Sequence, residues 1–159
     1  LSAPMLRAAA RMARSECPGQ RVSLVMAPME RPPIASASVD LVIGHGIWNL
    51  ARSAAQFRAA IREAARVARP GAGLFVFTFS RTTLPDGVAP VPGEPFVFTE
   101  FSGAPQCFLT RDQLIVELAD AGFVPDNAVA LTEHNLPRPG TLRAAGPPII
   151  YEGAFRRAG

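Results

Sequence analysis

The sequence contains no lysine, and all 16 of its basic residues are arginine. The arginines are scattered, only Arg156 and Arg157 are adjacent, and no stretch interleaves arginine with aromatic residues. Proteins that bind nucleic acid concentrate positive charge in a patch, so scattered arginine with a net charge of +3 is more typical of a solvated surface. We therefore expect no nucleic-acid partner.

Cysteine and histidine are also scarce. Cys17 and Cys107 form neither a CxxC motif nor a metal-ligand spacing, and His45 and His134 lie far apart in the sequence. This pattern predicts two buried thiols and no metal site.

Long apolar runs are missing as well, and no signal peptide is recognisable. We therefore expect a cytoplasmic protein with no membrane partner. With 159 residues, 48% of them hydrophobic and 18% charged, the chain is expected to be one folded domain, or part of one, rather than a disordered segment.

The sequence does contain an alternation of helix and strand patterns. Helices are predicted between Ser2 and Cys17, over 53–69 and over 110–121, where apolar residues recur every three or four positions. Short apolar strands are predicted at 21–26, 39–44, 73–79, 127–133 and 147–156, the last two joined by a Pro- and Gly-rich turn region at 137–146.

This order of elements predicts an α/β fold with a doubly wound, mostly parallel sheet. In such sheets, ligands bind beyond the carboxyl ends of the strands. Those ends correspond here to residues 26–30, 44–48 and 79–83.

Several segments together resemble the class I S-adenosylmethionine-dependent methyltransferases. VDLVIGHGIWNL at 39–50 and FRAAIREAARVARPGAGLFVFTFS at 57–80 resemble a strand, helix and strand in the second half of that family's Rossmann-like domain. LSAPML at 1–6 resembles the segment after its second strand, and FLTRDQLIVELADAGF at 108–123 resembles a later helix. The resemblance implies S-adenosylmethionine as the cofactor. The Arg-Val-x-x-Pro-Gly junction at 66–71 argues against a nicotinamide-type Rossmann domain.

The resemblance also implies a missing part. The family binds its cofactor with a glycine-rich loop after the first strand and an acidic residue that ends the second, and this sequence has no GxGxG motif. We therefore expect residues 1–159 to be a partial methyltransferase domain without the first two strands, which are central in the family's sheet order 3-2-1-4-5-7-6. We expect this span alone to be inactive and to bind the cofactor weakly or not at all.

The resemblance assigns adenine binding to the loop after residues 21–26. Pro28 aligns with an Asp that accepts a hydrogen bond from the adenine amino group, and Met29 aligns with a residue whose backbone N–H meets the ring. Proline cannot play the Asp role. In an extended chain Glu30 points to the same side as Pro28, so Glu30 is predicted to supply the missing acceptor.

Gly44, His45 and Gly46 align with the turn that passes under the methionine part of the cofactor, with a simple tight turn as the alternative. His45 is the candidate catalytic residue, because an imidazole could orient the substrate or act as a general base near neutral pH. A hydrogen-bonded turn residue is the alternative for His45. Trp48 is expected in the core rather than in the pocket wall.

The reaction that the resemblance implies is methyl transfer to a small-molecule acceptor. A sulfonium methyl group is already electrophilic, so the enzyme mainly aligns a nucleophile with it and excludes water. The Pro- and Phe-rich segment 81–108 and residues 132–135 would select an apolar or aromatic acceptor, unless the phenylalanines only pin the segment to the core. The alternative function is a catalytically inactive binding or scaffold subunit with the methyltransferase fold.

Overall fold

The computed structural model describes residues 2–137 and 147–159, so most of the turn region predicted at 137–146 lies outside the described residues. The helices are α1 (Ala3–Glu16), α2 (Ala54–Val67) and α3 (Arg111–Asp120). The strands are β1 (Val39–His45), β2 (Ala68–Phe79), β3 (Val97–Phe98), β4 (Gln106–Cys107), β5 (Phe123–Pro125), β6 (Thr132–His134) and β7 (Ile150–Arg157). Short 3₁₀ turns cover Trp48–Leu50 and Arg81–Thr83. The predicted α/β class is confirmed.

The main sheet joins β1, β2, β7 and β5 in that order, and β6 also pairs with β7. Strands β1 and β2 are parallel, with Val42 opposite Leu74 and His45 opposite Phe77. Strand β7 is antiparallel to β2, β5 and β6. Because β7 alone runs against its neighbours, the other four of these strands share one direction, as a mostly parallel sheet requires.

Helix α2 is capped and amphipathic, and it covers the centre of the sheet. The Ser53 hydroxyl accepts a hydrogen bond from the backbone N–H of Gln56 at 3.1 Å, which satisfies one of the free donors at the helix start. The buried stripe of α2 consists of Phe57, Ala60, Ile61, Ala64 and Ala65. The helix ends at Val67, two residues before the predicted end, because Ala68 is already extended. Gly71 is expected to close the helix, but it lies inside β2, where its φ of 79° falls in the stretch in which the register with β1 shifts.

Helix α3 begins with a reciprocal capping box. The Thr110 hydroxyl accepts from the Gln113 N–H at 3.2 Å, and the Gln113 side chain accepts from the Thr110 N–H at 2.9 Å. Arg58 of α2 donates to the Glu117 carboxylate of α3, with a closest distance of 2.6 Å. The two predicted helices on the sheet are therefore also joined to each other.

The strand predicted at 21–26 is wrong. This segment has no regular secondary structure, and all six of its residues are exposed. An apolar run forms a stable strand only where a neighbouring strand takes its backbone hydrogen bonds, and no described strand pairs with this one. Its apolar side chains are 39% to 59% exposed: Val22, Leu24, Val25 and Met26.

Strand β1 and helix α1 also expose apolar side chains. Within the described part of the chain, β1 pairs only with β2, so its other edge is open. Leu41 and Ile43 of β1 are 57% and 61% exposed. Helix α1 begins at its predicted cap, where Ser2 accepts from the Met5 N–H at 3.3 Å, but none of its residues is buried.

The Pro- and Phe-rich segment 81–108 is anchored to the rest of the fold. Phe96, Phe98 and Phe108 are at most 3% exposed, so the core alternative is confirmed for these three. The Glu94 carboxylate accepts from the backbone N–H of Ala54 at 2.7 Å, which ties the segment to the start of α2.

Cys107 is buried as predicted, whereas Cys17 is only half-buried because it follows the surface helix α1. None of the described helices is both long enough and apolar enough to cross a membrane.

Candidate cofactor-binding site

Two adjoining clefts lie between residues 23–34, strand β1 and helix α2. They have volumes of about 520 and about 280 Å³, and Met29 and Ile47 border both of them. Four of the six predicted cofactor residues line the clefts: Pro28, Met29, Glu30 and Gly44. The other two, His45 and Gly46, line neither cleft.

The chain turns at Pro28 instead of running extended. The Arg31 N–H donates to the Pro28 carbonyl oxygen at 3.1 Å. The alternation argument that placed Glu30 beside Pro28 therefore does not apply, yet the turn brings both residues to the border of the larger cleft. Within 2–137 and 147–159, no group accepts a hydrogen bond from the Met29 N–H, so this donor is free for a ligand.

Glu30 contacts a residue that sequence reasoning missed. The Gln56 side chain donates from Nε2 to Glu30 Oε1 at 3.3 Å, and both residues border the larger cleft. The sequence signal that could have pointed to Gln56 is its position three residues after Ser53, a spacing typical of a helix start. Among the described residues that line the two clefts, Glu30 alone carries a charge. It is thus the acceptor best placed for an amino group in the cleft.

Gly44 is a glycine because of Trp48. A Cβ atom at position 44 would lie 3.2 Å from the Trp48 ring, and Trp48 is 4% exposed. Trp48 is therefore in the core as predicted, and it also borders the smaller cleft. The space at Gly44 is already filled by this ring.

His45 lies outside the clefts, on the exposed face of the sheet. Its ring stacks on Phe77, with ring centroids 4.3 Å apart and planes 17° apart. The following residue, Gly46, has φ of 63° and donates its N–H to the Phe77 carbonyl oxygen at 3.0 Å. These contacts place the imidazole at the carboxyl end of β1, where it remains exposed.

The segment 81–108 contributes one exposed aromatic side chain. Phe101 is 43% exposed and packs on Phe79 and Phe108, with centroid distances of 5.3 and 5.8 Å. Of the segment's phenylalanines, it is therefore the one available to an acceptor.

A hydroxyl–carboxylate cluster lies beyond the carboxyl end of β2. The Ser80 and Thr82 hydroxyls donate to the Glu133 carboxylate, and the Tyr151 hydroxyl interacts with Ser80 and Glu133. Burial raises the pKa of Tyr151, the bond with Ser80 opposes that shift, and the charge of Glu133 adds to it. Sequence reasoning placed Ser80 and Thr82 at a ligand-binding strand end, within 79–83, and Glu133 within 132–135, but it missed Tyr151, which a strand distant in sequence brings to the cluster.

No metal-ligand cluster occurs in the part of the chain that the structure describes: nowhere do three His, Cys, Asp or Glu side chains converge. His134 lies 3.5 Å from the Glu152 carboxylate, on the neighbouring strand.

Comparison with known proteins gives this geometry a context. Residues 1–77 match the family model described as a methyltransferase domain. An S-adenosylmethionine-dependent methyltransferase from Methanosarcina mazei has a TM-score of 0.68 and 18% identity, over 99% of this chain and 79% of that one. The resemblance to the class I S-adenosylmethionine-dependent methyltransferases is therefore confirmed. The sheet order β1-β2-β7-β5 corresponds to 4-5-7-6 in the order of that family.

Two further solved methyltransferases share the fold. An S-adenosylmethionine-dependent enzyme from Mesorhizobium loti has a TM-score of 0.65 and 16% identity, over 99% of this chain and 77% of that one. The 1,6-didemethyltoxoflavin-N1-methyltransferase from Burkholderia thailandensis has a TM-score of 0.66 and 19% identity, and its structure holds 1,6-didemethyltoxoflavin and S-adenosylhomocysteine. The match covers 94% of this chain but only 56% of that enzyme. No curated protein sequence matches significantly.

Proposed function

We propose that residues 1–159 are the C-terminal part of a methyltransferase domain, and that the full-length protein transfers a methyl group from S-adenosylmethionine to a small apolar or aromatic acceptor. The carrying observation is the larger cleft, where the Met29 N–H and the Glu30 carboxylate lie beside apolar walls. An adenine ring needs apolar contacts on its faces, a donor for a ring nitrogen and an acceptor for its amino group. The residues present fit that group.

The open edge of β1 supports the proposal of a partial domain. In the family's sheet order, the strand beside position 4 is the first strand, and position 4 corresponds to β1. Leu41 and Ile43 are exposed on β1, and unpaired apolar edges promote aggregation. A further strand from the full-length protein would cover this edge, and the extended sheet would offer residues 21–26 a neighbouring strand to pair with.

S-adenosylmethionine, when bound, supplies an electrophilic sulfonium methyl group. Met29 and Glu30 would hold the adenine end, and the turn at Gly44–Gly46 would lie near the methionine end. His45 would orient the acceptor or take its proton on a ring nitrogen. Phe101 would provide an aromatic surface for the acceptor. Holding the reactants in line and excluding water would supply most of the rate enhancement.

A second candidate is a catalytically inactive subunit with the methyltransferase fold. It is favoured by Pro28, which has no side-chain acceptor at the position where the family commonly has an Asp. Such a subunit would use the same fold for binding partners in the cytoplasm, the location expected from the sequence for either candidate.

Calorimetry with S-adenosylhomocysteine separates these possibilities. We expect the full-length protein to bind, residues 1–159 alone to bind weakly or not at all, and Glu30→Ala to weaken binding about fivefold to a hundredfold, as the loss of a charged hydrogen bond implies. Glu16→Ala, on the exposed end of α1, is the matched control and should change nothing. A full-length protein that does not bind would favour the inactive subunit. Tight binding by residues 1–159 would contradict the partial domain.

A further inference from the structure

Helix α2 holds the side chain of Gln56 in one orientation. Its Oε1 accepts a hydrogen bond from the backbone N–H of Arg52 at 2.9 Å, and its backbone N–H donates to the Ser53 hydroxyl at 3.1 Å. Because the oxygen is taken by the helix start, the amide NH₂ group faces Glu30 Oε1, at 3.3 Å. The flipped amide would set oxygen against carboxylate and NH₂ against an N–H, so the contacts fix its orientation.

The contact uses only one carboxylate oxygen of Glu30, a residue that lines the larger cleft. Glu30 is half-buried, and no group in the described ranges donates to its Oε2. The cleft walls beside it are mainly apolar and include Val25, Ile47 and Leu50. A half-buried carboxylate that lines an apolar cleft, with one oxygen fixed and the other able to accept, suits the amino edge of a planar ring.

We propose that Gln56 is a positioning residue that orients Glu30 to accept a hydrogen bond from the exocyclic amino group of adenine. The inference rests on the proposed function and adds a rule of ligand choice. A purine with an amino group at C6 would be preferred over hypoxanthine, which carries a carbonyl oxygen there. A carbonyl facing the Glu30 carboxylate would leave two acceptors without a donor, and such mismatches are strongly disfavoured.

The test compares the affinity of the full-length protein for S-adenosylhomocysteine with its affinity for the analogue that contains hypoxanthine in place of adenine. We expect the wild type to prefer the adenine compound at least about tenfold, as expected for a lost charged hydrogen bond. Gln56→Glu keeps an oxygen for the Arg52 N–H but places a second carboxylate against Glu30. The preference should therefore fall at least about fivefold, mainly through weaker binding of the adenine compound.

The double variant Glu30→Gln/Gln56→Glu rebuilds the pair with donor and acceptor exchanged, and it should restore most of the preference. Thr110→Ala is the control for a purely structural role, because it weakens the α3 cap and removes no contact of Glu30 or Gln56. It should lower the melting temperature without changing the preference. If Gln56→Glu does not fold, Gln56→Met removes both polar atoms at similar size, with the same expected loss of preference.

Equal weakening of both ligands in Gln56→Glu, with no recovery in the double variant, would overturn the inference and leave the proposed function standing. A wild type that binds both ligands equally would do the same. A wild type that binds neither ligand would overturn the proposed function, and the inference with it.

Discussion

Gly44→Ala should destabilise the protein through its contact with Trp48. The added Cβ would lie 3.2 to 3.3 Å from three atoms of the Trp48 ring, inside the usual carbon separation of about 3.5–4.0 Å. The ring is 4% exposed and packs edge-on against Phe57, so it has little room to move. Overpacking costs about 1–3 kcal/mol, and replacing glycine with alanine in a strand returns about 0.5–1 kcal/mol. The net loss is centred on about 1 kcal/mol, within a range of about 0–2.5 kcal/mol, and 1 kcal/mol corresponds to about 2–4 °C in melting temperature.

Thermal unfolding of the full-length protein in a double-mutant cycle measures this loss. In a Trp48→Phe background the smaller ring removes the close contacts, so Gly44→Ala should then cost less than about 0.5 kcal/mol. Gly46→Ala is the contrast, because its cost comes from a φ of 63° and the nearest side chain, Phe77, lies at 3.8 Å. That cost should be independent of Trp48→Phe. An equal effect of Gly44→Ala in both backgrounds would refute the steric explanation.

Two further predictions concern the interior. In urea denaturation, Arg58→Ala should lower the free energy of unfolding by about 2–3 kcal/mol, because it leaves the Glu117 carboxylate, which is 8% exposed, without its partner. Glu117→Ala should lower it by only about 1 kcal/mol, because the Arg58 side chain that it leaves is 44% exposed and hydrated. Equal costs would contradict this asymmetry. Burial, with smaller effects from nearby carboxylates, raises the pKa of Cys107 to about 12. This thiol should therefore resist a disulfide reagent at pH 8 until the protein unfolds, whereas the half-buried Cys17 should react in the native state. Rapid native-state modification of Cys107, detected by peptide mass spectrometry, would count against it.

The parts of the fold with local signals were predicted from the sequence. Ser53 and Thr110 mark helix starts, because a helix cap depends on residues within a few positions. The segment 21–26 carries the same apolar pattern as a strand, but a strand also needs a partner. That requirement is not local, so the prediction was wrong.

The site was harder to predict for the same reason. The contact between Glu30 and Gln56 spans 26 residues and depends on how a loop meets a helix. For Gly44, the sequence could not distinguish an approach to a ligand from the approach of Trp48. For the phenylalanines of 81–108, apolar character fits both the core and a binding surface, and only burial separates Phe101 from the rest.

The central claim is that the adenine end of S-adenosylmethionine binds beside Met29 and Glu30. Ultraviolet cross-linking of labelled S-adenosylmethionine to the full-length protein, followed by tryptic mapping, tests it directly. Trypsin cleaves after Arg21 and next after Arg52, since Arg31 precedes a proline, so one peptide, 22–52, holds all six predicted cofactor residues. We predict label in this peptide that excess S-adenosylhomocysteine prevents. Protected label found only outside 22–52, or label there that the competitor does not reduce, would contradict the claim.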